Sequence, residues 1–105
     1  MKKLLMCLPV LTLIVSMPLT ANNIFGTGAQ SCGKWVANNQ EGPYEDFHMV
    51  GWISGYISAI NTEYDLQKGV NKSYESIYYA VKNRCEKAPL DLVAEAIQWV
   101  VRNEL

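Results

Sequence analysis

Through nearly all of the chain beyond residue 30, apolar positions recur every three or four residues, the spacing of helices with one buried face and not of strands. The pattern predicts four helices. The first covers residues 31–39 and places Cys32, Trp35 and Val36 at i, i+3 and i+4. Asn38-Asn39-Gln40-Glu41-Gly42 then reads as its end and a turn. The second, residues 43–64, opens on Pro43, whose missing N–H costs nothing at a first helical position, with Glu45 and Asp46 favourable against the helix dipole. Phe47, Val50, Ser54, Ile57 and Tyr64 mark one face of this helix. Gly51, Gly55 and Ala59 form a smooth ridge four residues apart, read as a close-packing surface for another helix. Each glycine costs about 1 kcal/mol relative to alanine, so packing must offset it. In the third helix Ser73 is the cap, and Tyr74, Ile77, Tyr78, Val81 and Cys85 share a stripe. Lys82, Arg84 and Lys87 crowd its last turns, where positive charge suits the dipole. The fourth is expected to start at Pro89 with Asp91 in its first turn and to carry Leu90, Val93, Ala94, Ile97, Val100 and Val101 before Arg102 closes it. The fold class is therefore all-α, a small four-helix domain at residues 31–105.

The N-terminus has a different character. Lys2 and Lys3 precede an apolar run at residues 4–15, and Ser16-Met17-Pro18-Leu19-Thr20-Ala21 leads to a cleavage site, so residues 1–21 read as a cleaved signal peptide. The run is too short to span a bilayer comfortably, and no other segment is long enough. Residues 22–30, with Gly26-Thr27-Gly28, read as a flexible leader to the helical domain. The expected location is the periplasm or the outside of the cell.

Export changes the charge and the cysteine count. Of nine Lys+Arg, Lys2 and Lys3 leave, so seven face ten Asp+Glu, a net charge near minus three that argues against nucleic acid as a partner. Of three cysteines Cys7 leaves, and Cys32 and Cys85 remain in a compartment where disulfides persist. Both lie on the apolar stripes of their helices, so both sulfurs face the core, as a buried disulfide requires. Closing a loop of this length stabilises a small domain by about 4 kcal/mol in the chain-entropy model.

No convergent acid, base or nucleophile stands out, so the protein is not expected to be an enzyme, and no metal or cofactor is expected. His48 sits near Glu45 and Asp46, but the three do not project from one helical face and no second histidine exists. Asn71-Lys72-Ser73 has the form of a glycosylation acceptor, read as chance in a chain with a bacterial-type signal. Aromatic residues are the richest feature: three Trp, six Tyr and two Phe. Most belong to the core. Trp52, Tyr56, Tyr79 and Trp99 fall off the main stripes of their helices and are the expected partner-binding residues, since Tyr and Trp dominate binding hot spots.

The order Cys32-Gly-Lys-Trp35, then Trp52-Ile-Ser-Gly-Tyr56-Ile-Ser-Ala-Ile-Asn61, then Asn83-Arg-Cys85-Glu-Lys-Ala-Pro89 and a closing amphipathic helix, resembles the HdeA/HdeB-like periplasmic proteins. The likeness runs from about Ser31 to the end and extends to type VI secretion immunity proteins and the phage spackle protein. It implies a four-helix domain with one disulfide and action through protein contact. One form of that action is an acid-stress chaperone, dimeric at neutral pH, that receives unfolding client proteins. The alternative is a periplasmic immunity or inhibitor protein that blocks a cell-wall hydrolase. This chain departs from the acid chaperones in ending soon after its last helix and in its aromatic richness.

Overall fold

The computed structural model describes residues 24–39 and 41–105. The expected signal peptide at residues 1–21, with Cys7, and the first two residues of the expected leader lie outside the described residues. Within them the chain forms four α-helices: α1 (Cys32–Asn38), α2 (Phe47–Tyr64), α3 (Tyr74–Lys87) and α4 (Val93–Asn103), preceded by a single 3-10 turn at Thr27–Ala29. The all-helical class expected from periodicity is the class observed.

One core holds the helices together. Trp35 and Cys32 of α1, Met49, Ile53 and Ile57 of α2, Tyr78, Val81 and Cys85 of α3, and Val93, Ile97 and Val100 of α4 are all buried. Each large aliphatic side chain so removed from water stabilises the fold by roughly 1.5–3 kcal/mol. Cys32 and Cys85 are bonded, with Cα atoms 4.8 Å apart, and fasten α1 to α3 across the centre of this core.

Two helices begin later than their prolines suggest. Ahead of α2, Pro43 is buried and the 43–45 segment is a turn, with Glu45 N–H and Asp46 N–H both donating to the Gly42 carbonyl. Asp46 then turns its carboxylate inward and makes no side-chain cap to its own helix. Ahead of α4, the Pro89 carbonyl accepts from Gly33 N–H at 2.9 Å and the Asp91 carbonyl from Cys32 N–H at 2.7 Å. Those acceptors satisfy the free donors at the start of α1 and do not begin a new helix. Helix α4 starts only at Val93, where Glu95 reaches back to the Leu92 N–H at 2.8 Å.

The glycine ridge is not a packing surface. A Cβ at Gly51 or Gly55 would meet nothing within 4 Å, and Ala59 is exposed as well. Helix α2 is rotated so that Met49, Ile53 and Ile57 face inward. Gly51 and Gly55 fall two residues after Met49 and Ile53, on the opposite side of the helix. Burial of the larger apolar side chains sets that rotation, because they remove more area from water. For the same reason Phe47, Ser54 and Tyr64, expected on the buried face, are exposed.

The expected flexible leader also differs. From Ile24 onward it lies against α2 and α4, with Gly28 buried. Trp52 Nε1 donates to the Phe25 carbonyl at 2.9 Å, and Val93 N–H donates to the Gln30 carbonyl at 3.0 Å. A Cβ on Gly28 would overlap the six-membered ring of Trp52, so only glycine lets this backbone lie on the indole.

Candidate functional site

The four rings expected to bind a partner occupy three separate places. Trp52 and Tyr56 stack one turn apart on α2, with ring centroids 5.0 Å apart. Both are half-buried: Trp52 lies under the leader, and the Tyr56 hydroxyl accepts from Gln98 Nε2 of α4 at 2.6 Å. They join α2 to its neighbours. Trp99 is half-buried on α4 beneath the Arg84 guanidinium of α3, 4.5 Å from the ring centroid. Tyr79 alone projects strongly, 49% exposed.

Tyr44 and Tyr74 lie near Tyr79, and Phe47 follows Tyr44 by three residues. Tyr44, in the turn before α2, is 59% exposed, Phe47 at the first position of α2 is 71% exposed, and Tyr74 at the first position of α3 is 43% exposed. Tyr44 and Tyr74 pack edge to face, with centroids 6.3 Å apart. The Tyr44 hydroxyl donates to Glu75 Oε2 at 2.8 Å, a bond that holds the Glu75 carboxyl below its ordinary range and raises Tyr44 above its own. Tyr74 and Tyr79 lie near enough to add to that rise. The Tyr79 hydroxyl covers Gly42, and Glu45 Oε1 accepts from the Gly42 N–H at 3.2 Å. The outcome is an aromatic face edged by Glu41, Glu45 and Glu75.

A polar knot lies directly beneath. Asp46 Oδ2 accepts from Trp35 Nε1 at 3.1 Å, from the Tyr78 hydroxyl at 3.0 Å and from Asn39 Nδ2. Lys82 donates to the carbonyls of Asn39 and Glu41, and its ammonium stands about 6 Å from the ring centres of Trp35 and Tyr78. Burial first, and then the bond to Asp46, push the Tyr78 hydroxyl up to about 12. This knot ties the end of α1, the start of α2 and the middle of α3 to one carboxylate, and so fixes the turn that carries Tyr44.

Two grooves flank α2. The smaller, about 250 Å³, lies between α2, α3 and the 65–72 loop, with Ile53, Ile57, Ile77, Lys68, Lys72 and Tyr74 among its lining. Asn61 holds that loop with both side-chain atoms, accepting from Lys68 N–H and donating to the Lys68 carbonyl. The broader one, about 1000 Å³, runs between α2 and α4 past Ala59, Ile60, Tyr64 and Val101. Among the described residues no group of three or more His, Cys, Asp or Glu side chains could hold a metal ion, and no helix is long and apolar enough to cross a membrane.

Comparison with known protein families, curated proteins and solved structures finds no match to this chain. The likeness to the HdeA/HdeB-like proteins rests on the residues quoted for it.

Proposed function

We propose that the chain is an exported, non-enzymatic protein that acts through protein–protein contact, presenting a preformed aromatic face in the manner of periplasmic immunity or inhibitor proteins. The observation that carries this reading is the joint exposure of Tyr44, Tyr74 and Tyr79 beside a turn fixed from below by Asp46. Rings that could have entered the core are held outside it, and a rigid aromatic patch rimmed by polar groups is the usual anatomy of a binding hot spot. Export is supported by the basic and then apolar N-terminal stretch and by the Cys32–Cys85 bond, which suits an oxidising compartment. The test is co-purification from periplasmic extract. Recovery of a cell-wall hydrolase whose cleavage of peptidoglycan is blocked by the added protein supports the reading, and a hydrolase unaffected by saturating protein rejects it.

A specific observation also favours the acid-stress chaperone. Asp46 holds three donors from two other segments, so protonating it would release the α1–α2–α3 junction. Full carboxylate protonation also turns a mature net charge near minus three into one near plus seven, from the same seven cations and ten acids. Size and dye binding compared at neutral pH and at about pH 2–3, below the ordinary carboxylate range, distinguish the readings. A chaperone loosens, exposes apolar surface and falls from dimer to monomer. An unchanged particle with no dye uptake leaves only the inhibitor reading.

A further inference from the structure

We infer that the face of Tyr44, Tyr74 and Tyr79, with the exposed Phe47 three residues beyond Tyr44, docks a cationic polypeptide segment of its partner, one in which Lys or Arg side chains alternate with apolar ones; this rests on the protein-contact reading above. The rings supply apolar area and π faces, and the carboxylates decide which charge can lie on them. Glu41 and Glu45 are exposed, and Glu75, bonded by the Tyr44 hydroxyl, by Ser73 and by its own backbone N–H, adds its charge beside the rings. A guanidinium laid on a tyrosine ring next to a carboxylate gains a cation–π contact and a charge-assisted hydrogen bond together.

Two cations border the face, and neither neutralises it. Lys82 is held by the Asn39 and Glu41 carbonyls, and Lys72 lies with Tyr74 on the lining of the groove between α2 and α3. His48 is exposed on the first turn of α2. A second copy of the chain is a poor occupant, because a symmetric contact would set these acids against themselves. An anionic lipid surface or nucleic acid meets the same repulsion.

The test places a photo-crosslinking phenylalanine analogue at position 47 in the full-length protein expressed in its host, and in a separate strain at Leu90, which is 96% exposed between α3 and α4. Crosslinked peptides are sequenced by mass spectrometry. The expected result is an adduct at position 47 to a partner segment of net positive charge. Its yield should fall about tenfold on adding Glu45→Lys, and fall again in raised salt, with an unchanged thermal melt showing that the variant is folded. An adduct at position 47 to an acidic segment, or to a second copy of this chain, overturns the inference while leaving the contact reading in place. So does an adduct only at position 90. No protein adduct at either position removes the contact reading itself.

Discussion

Tyr78 packs its ring edge-on to Trp35, with centroids 5.6 Å apart, and keeps its hydroxyl on Asp46. Because folding raises this pKa from 10 to about 12, the contribution of the neutral hydroxyl is complete below pH 10 and is lost as pH rises through about 12. A tyrosinate absorbance titration should therefore show a component near pH 12 that disappears in Tyr78→Phe, and that variant should lose about 1 kcal/mol of stability at neutral pH by removing one donor from Asp46. If Tyr78→Phe instead removed a component at the ordinary tyrosine value, the knot would be contradicted. At this scale the sequence was only half legible. Trp35, Tyr78 and Cys85 were readable as buried from their helical spacing. Asp46 was assigned to the dipole of α2, because its true partners lie 7, 11 and 32 positions away on other segments, which the periodicity of its own helix does not report.

Helix boundaries and faces show the same division. Helix α3 starts where its cap Ser73 stands, and that cap accepts from Ser76 N–H at 3.2 Å, so a purely local signal sufficed. The prolines at 43 and 89 misled because Pro43 sits in a local turn closed on the Gly42 carbonyl, while the carbonyls of Pro89 and Asp91 bond to the start of α1. The four-residue repeat of Gly51, Gly55 and Ala59 suggested close approach, whereas apolar volume at Met49, Ile53 and Ile57 decides which way α2 faces. A stability gain follows: Gly51→Ala and Gly55→Ala should each add about 1 kcal/mol, since a methyl there meets no neighbour and alanine stiffens the unfolded chain and favours the helix. Urea midpoints of the single and double variants check this, and additivity is expected because neither residue contacts the core. A loss of stability in either would mean that the ridge is covered after all.

For the molecule as a whole, the class and the disulfide were readable from periodicity and cysteine count, but the assembly of the aromatic face was not. Only Tyr79 of its three tyrosines was among the expected partner-binding residues. The others come from the turn before α2 and from the first position of α3, and only the folded chain brings such positions together. Replacing both Cys32 and Cys85 by alanine should lower stability by about 4 kcal/mol while leaving the helices assigned above as the folded state, as read by denaturant titration and circular dichroism. The same bond also sets how the molecule carries mechanical load. Tension applied at the two ends passes from Cys32 straight to Cys85, so the chain between them, a sequence separation of 53 and about 180 Å at roughly 3.4 Å per residue, stays out of the load path until the bond is reduced. The whole of α2, the Tyr44 turn and most of α3 lie inside that ring. A pull that strips away the leader and unwinds α4 would stretch only the two tails, and the segment bearing the aromatic face would remain a closed loop, unable to extend.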